Sequence, residues 1–147
     1  MLYSSDNRKE VLAMKIQVVG KTKNLSKKEC KEISKFFLGL LVEKKETKGK
    51  TLCIEFGKKF AYAYASAVEG EAYAYESIDG TYGIWISSKL EREKQIEVLA
   101  HEIVHIKQFI RNEYVEVNTE EEYWFNPSEI EAYGRTPGLI ASYNKHF

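Results

Sequence analysis

Two histidines four residues apart, in the stretch His101-Glu102-Ile103-Val104-His105, constrain this chain more than any other feature. Positions i and i+4 of a helix stand one above the other, so a helix here lets both imidazoles grip one metal ion from the same side. Glu102 then lies beside that ion, where it can hold and deprotonate a bound water. The flanking sequence favours a helix over about 89–112. Ser88-Lys89-Leu90-Glu91 has the capping-box pattern, and Ile96, Leu99, Ile103, Ile106 and Ile110 recur at helical spacing. They mark the side expected to be buried. His101 and His105 share a neighbouring stripe with Val98 and Gln108, which a helix packed on a sheet would turn into a cleft.

The remaining chain reads as short strands and helices in an α+β arrangement, without a linker that divides it. Residues 14–19 and 51–56 read as strands. Between them, Ser26 and Glu29 form a second capping box, with Leu25 and Cys30 as its hydrophobic staple. Ile33, Phe36, Phe37, Leu40 and Leu41 continue that helix to about residue 43. The lysine-rich 43–50 stretch reads as a solvated loop. Residues 59–67 and 71–77 repeat an alternation of alanine and tyrosine, and Asp79-Gly80 signals a hairpin into 81–87. These runs fit a meander with one tyrosine face. They equally fit an edge strand, 71–77 or 81–87, that pairs with an extended peptide. Residues 114–117 read as a short strand or turn and 118–122 as an acidic loop. Asn126 and Pro127 then start a helix expected over 127–135, broken or kinked at Pro137-Gly138, with a last helical segment over 137–145.

A length of 147 residues fits a single domain with a real core. The 22 basic and 22 acidic residues cancel, which gives no support for a nucleic-acid or acidic-membrane partner; neither is expected. No stretch is long and apolar enough to span a bilayer, and no apolar signal region follows the start. Cys30 and Cys53 lie in apolar settings and are expected to be reduced core residues of a cytoplasmic protein. Residues 1–13 are polar and aperiodic, and are expected to be disordered or a non-native extension. Lys9-Glu10-Val11 can be encoded by AAGGAGGTN, which contains a bacterial ribosome-binding sequence suitably spaced from Met14. Translation is therefore expected to start at Met14, with the domain over 14–147.

Two histidines do not complete a catalytic zinc site, which needs three protein ligands and one open position. The best source of the third is Pro127–Gly134, PSEIEAYG. His-Glu-x-x-His is the zinc-peptidase signature. HEIVHIKQ followed after a loop by PSEIEAYG resembles the gluzincin metallopeptidases, in particular the small single-domain forms of phages and bacteria. In that family a glutamate on a helix after the motif helix, often within E-x-x-A, completes the site. The resemblance covers about residues 81–135 and places the ligand at Glu129, with Ala132 as the small residue that allows close helix packing. Glu131, two positions on, is the rival, because Glu129 can instead complete a capping box. Some gluzincins carry a later aspartate where this chain has Tyr133. A partner for the histidine ring N–H groups must therefore come from elsewhere.

The resemblance implies a zincin-like domain: a small twisted antiparallel or mixed sheet packed on the motif helix, followed by a glutamate helix closing the cleft. It implies one zinc ion per chain, a protein or peptide substrate, and hydrolysis by a zinc-activated water with Glu102 as general base. It also implies a source in a bacterial or phage-infected cell. Tyr133, Arg135 and His146 are candidates by position to stabilise the transition state. The competing reading is a non-catalytic zinc-binding interaction or regulatory module that keeps the zincin fold. A nucleic-acid-associated protease is disfavoured by the zero net charge.

Overall fold

Alternating burial runs through the first strand. Ile16 and Val18 point inward and Lys15, Gln17 and Val19 outward, which makes β1 (Lys15–Val19) a half-buried strand. The computed structural model describes residues 14–58, 71–116 and 119–147. After β1 come α1 (Lys27–Leu41), α2 (Lys44–Thr47), β2 (Thr51–Gly57), β3 (Ala72–Glu76), β4 (Tyr82–Ser87), α3 (Arg92–Ile110), α4 (Glu120–Phe125) and α5 (Pro127–His146). The four strands form one mixed sheet in the order β1-β2-β4-β3. β1, β2 and β4 are parallel, and β3 runs antiparallel to β4 at the edge. A parallel pair needs a crossover, and α1 supplies it between β1 and β2. The protein is thus α+β with a mixed sheet.

The capping box expected at Ser26 is present in both directions, Glu29 N–H to Ser26 Oγ and Ser26 N–H to Glu29 Oε1. Asp79-Gly80 turns β3 into β4, with Gly80 at φ 87° and Asp79 Oδ1 accepting from the backbone and hydroxyl of Thr81. The tyrosine run at 59–67 and the extension at 1–13 lie outside the described residues.

Several expectations are corrected. Residues 81–87 are not an edge. β4 is flanked by β2 and β3 and is buried on both faces, as expected of a continuous apolar run among parallel strands. Of the two edge candidates, only 71–77 lies at the rim of the sheet formed by the described residues. The motif helix starts at Arg92, with Glu91 as an N-cap that makes no side-chain bond, so the Ser88 box is unused. Tertiary ties explain this. Residues 88–90 form a turn, with Leu90 N–H on the Ser87 carbonyl; the Leu90 carbonyl accepts from Asn24 Nδ2, and the Arg92 guanidinium reaches the Asn24 carbonyl and Glu29 Oε2, which ties this turn down outside the helix.

Farther on, the stretch 114–117, expected as a short strand or turn, is neither over its described residues 114–116, and Glu120–Glu122 of the expected acidic loop belong to α4, capped by Thr119. α5 does not break at Pro137 but runs through it to His146. Pro137 leaves the Tyr133 carbonyl without its i+4 donor, and the Thr136 hydroxyl donates to the neighbouring Ala132 carbonyl at 2.7 Å. The lysine-rich 43–50 stretch includes the single turn of α2.

α3 is the central helix. It packs on β3 and β4 on one side and on α1 and α5 on the others. Ile96, Leu99, Ile103 and Ile106 are buried as expected, but so are Val98, Ala100 and Val104, because a helix enclosed on several sides has little polar face left. Cys30 is buried in the core, whereas Cys53 is only half-buried; both are free thiols. Among the described residues no helix is long and apolar enough to cross a membrane.

Candidate metal centre

The site forms where α3 meets the first turn of α5. Asn126 caps α5, its side-chain oxygen accepting from the backbone N–H groups of Ser128 and Glu129. The Asn126 amide donates to the carbonyls of Val115 and Glu116, and the Val115 N–H donates to Ser128 Oγ. The loop after α3 is therefore stitched to the turn that carries Glu129. The loop itself starts at a Schellman ending. Asn112 has φ 56°, with Glu113 N–H on the Gln108 carbonyl and Asn112 N–H on that of Phe109. The reversal lays the Tyr114 ring 5.5 Å from that of His105.

With Asn126 capping the helix, the Glu129 carboxylate is released for another task. It lies between the two histidines, with Oε1 3.2 Å from His101 Nε2 and Oε2 3.1 Å from His105 Nε2. One ligand atom from each of the three residues lies within 4.8 Å of the others. Zinc bonds near ~2.1 Å put neighbouring corners of a tetrahedron about 3.4 Å apart. The spacing and the donor set, two imidazoles and one carboxylate, fit a zinc ion or a similar divalent cation. Ala132, fully buried one turn after Glu129, lets α5 approach α3 closely. Glu131 points elsewhere: its carboxylate accepts from Lys107 Nζ (2.6 Å), Gln108 Nε2 (2.9 Å) and Arg135 Nε (2.7 Å).

The electrostatics follow from this packing. Burial works against an ionised Glu129, but hydrogen bonds and charge from His101 and His105 outweigh it and hold its pKa at about 2. Burial would also lower His105. The bond to Glu129, the charges of Glu102 and Glu129 and the bond to Gln108 raise it instead to about 9. Glu102 is buried beside them, and desolvation pushes its pKa up despite the nearby histidines.

His101 and Glu102 face a cleft of about 480 Å³. Glu71 and Ala72 of the β3 edge form one wall, Val98 with Lys94 and Glu97 the floor and mouth, and Tyr133, Thr136, Pro137 and Ile140 of α5 the other wall. Lys94 Nζ lies 3.2 Å from Glu97 and 3.8 Å from Glu71. Tyr133 stands with its ring 4.6 Å from that of His101, its hydroxyl 2.7 Å from that of Tyr123. Arg135 is engaged by Glu131 outside this cleft. His146 stacks on Phe36 at 4.7 Å, 17 residues and about 25 Å of helix beyond Glu129. Sequence reasoning missed Tyr114, Tyr123 and the engagement of Gln108. Only Gln108 carried a signal, its place on the histidine stripe.

No known protein family, curated protein or solved structure matches the chain.

Proposed function

We propose that the protein is a zinc-dependent metallopeptidase of zincin-like, gluzincin type, holding one zinc ion through His101, His105 and Glu129. The observation that carries this reading is the convergence of Glu129 on two histidines that share one helix face with Glu102 beside them. Bound zinc would supply a Lewis acid and an acidified water. The chain's residues do the rest. An extended peptide lies between the β3 rim and α5, its scissile carbonyl over His101 and Glu102. Glu102 takes the proton of the attacking water and passes it to the leaving amine. Its raised pKa suits both transfers, since a base poised nearer neutrality also serves as an acid. The Tyr133–Tyr123 hydroxyl pair borders the same space and is placed to donate to a developing oxyanion.

The test is Glu102→Gln in zinc-loaded protein against a quenched-fluorescent peptide library. Cleavage is expected to fall by about 10²–10⁴-fold while zinc stoichiometry stays at the wild-type value. A wild-type protein that binds zinc and cleaves no library member would support the non-catalytic module instead, and an E102Q variant that cleaves as fast as wild type would overturn the role of Glu102 as general base.

A further inference from the structure

Behind His105, on the side away from Glu129, lies a buried polar chain. Gln108 Oε1 is 2.7 Å from His105 Nδ1. Gln108 Nε2 donates to the Ser128 carbonyl at 2.9 Å and to Glu131 Oε1 at 2.9 Å. Neither a carbonyl nor an ionised carboxylate can donate. The amide nitrogen of Gln108 therefore faces those two acceptors, and its oxygen must face the imidazole. An amide oxygen only accepts, so Nδ1 of His105 carries the hydrogen. Nε2 faces the Glu129 carboxylate at 3.1 Å, so without a metal the ring donates from both nitrogens; a metal taken up beside Glu129 meets a ring whose hydrogen is held on Nδ1 and whose Nε2 lone pair is free for it.

The chain is anchored at its far end. Glu131 Oε2 accepts from Arg135 and from Lys107 Nζ, and Lys107, itself buried, also binds Glu113 at 2.6 Å. Two cations hold the carboxylate, the carboxylate and a backbone carbonyl hold the amide, and the amide holds the ring. Every link has its orientation dictated by the one before it.

We propose that Gln108, oriented by Glu131 and the Ser128 carbonyl, is a positioning residue that fixes the Nδ1–H tautomer of His105 and presents Nε2 for metal binding. The role in metal binding rests on the metal reading above; the tautomer assignment does not. Partners of this kind typically contribute 10–100-fold to metal affinity. This relay supplies the ring N–H acceptor that the sequence lacks at Tyr133, and it uses an amide on the motif helix instead of a carboxylate on the ligand helix.

The experiment is histidine-selective ¹⁵N NMR in alkaline solution on the metal-free full chain carrying Glu129→Ala, which removes the acceptor at Nε2, together with zinc titration of chains that keep Glu129 against a competing chelator. The His105 ring of the Glu129→Ala chain is expected to show a pyrrole-type shift at Nδ1 and a pyridine-type shift at Nε2. Gln108→Met, which keeps the length and removes the acceptor, is expected to mix the tautomers when added to Glu129→Ala and, on its own, to weaken zinc binding 10–100-fold at unchanged stoichiometry. A Glu129→Ala ring protonated at Nε2 overturns the proposal. So does a folded Q108M with wild-type zinc affinity. If the Glu129→Ala ring carries its hydrogen on Nδ1 but the wild type takes up no zinc, the metal-site role is overturned together with the metallopeptidase reading. The tautomer assignment then stands alone.

Discussion

Glu129→Gln separates the two glutamates of the ligand helix. The Glu129 carboxylate spans both histidines at 3.1 and 3.2 Å, close to the ~3.4 Å edge of a zinc tetrahedron, so it is expected to contribute as a full ligand. Structural zinc sites bind with about 10–16 kcal/mol over four ligands; one ligand then accounts for about 3 kcal/mol, or roughly 100-fold in affinity. At a zinc concentration a thousand times the wild-type Kd, binding stabilises the fold by about 4 kcal/mol. At about 4 °C per kcal/mol for a chain of this size, wild type should melt about 16 °C higher with zinc than without. For E129Q the same zinc concentration is only about ten times Kd, leaving about 1.4 kcal/mol and a shift of about 6 °C. Each protein is compared with its own metal-free melt, so the lost histidine–carboxylate pairing cancels. Differential scanning calorimetry with and without zinc reads the outcome. Glu131→Gln should keep most of the wild-type shift, since Glu131 is held by Lys107, Gln108 and Arg135. A full shift in E129Q, or its loss in E131Q with E129Q intact, refutes the ligand assignment.

Further expectations follow from the same contacts. Glu129 and Glu131 are lowered from 4.5 to about 2, so their contribution is present above pH 4.5 and lost as pH falls towards 2; His105 is raised from 6.5 to about 9, so its contribution is full below 6.5 and lost as pH rises through 9. Urea melts of metal-free protein should therefore peak between pH 4.5 and 6.5, and a flat profile across that range and beyond would contradict the ion cluster. Ala132→Leu forces a larger side chain into the closed α3–α5 contact. It should cost about 1–3 kcal/mol by urea melt and weaken zinc binding by displacing Glu129; unchanged stability would mean that the contact has room. The combined His101→Leu, His105→Leu and Glu129→Met protein should bind no zinc and be as stable as metal-free wild type or up to about 4 kcal/mol more stable; a marked loss of stability would make the cluster structural.

What could be read from the sequence was what neighbours in the chain decide. The α1 capping box, the Asp79-Gly80 hairpin and the isoleucine stripe of α3 each depend on residues within a few positions of one another. The position of 81–87 in the sheet does not: TYGIWIS looks alike at an edge or at the centre until β2 is known to lie beside it. The true start of α3 depends on Asn24 and Glu29, more than sixty residues away. Pro137 looked like a helix end because the packing of α5 on α3, and the cleft beside the proline, cannot be seen in a propensity. The choice between Glu129 and Glu131 is of the same kind. Two positions on a helix differ by about 200°, so one glutamate faces α3 and the other does not. Ala132 shares the Glu129 face, but only the packed structure shows which face meets the histidines and that Lys107 claims Glu131.

The distribution of polarity in the fold bears on why this cluster exists. Elsewhere the core is built from aliphatic and aromatic side chains, with polar residues standing singly, such as Gln95, whose Nε2 donates to Thr22 Oγ1 and the Ser87 carbonyl. At the α3–α5 contact, Glu102, His105, Lys107, Gln108 and Glu129 are all buried together, with His101 and Glu131 against them. Burying ionised groups is expensive even when they are paired, and an apolar replacement of similar volume is commonly neutral or stabilising. Ala132 and Leu139 show that α5 can meet its neighbours through apolar contacts. The polar contact is therefore not what holds the helices together at least cost. Its members also do not scatter their hydrogen bonds: the outer ones hold Gln108, Gln108 holds His105, and the two histidines and Glu129 leave three donor atoms facing a common point at the wall of a cleft. A network that expends stability to orient donors in this way is arranged as a group that could hold a cation would be, which is the arrangement the proposed function requires.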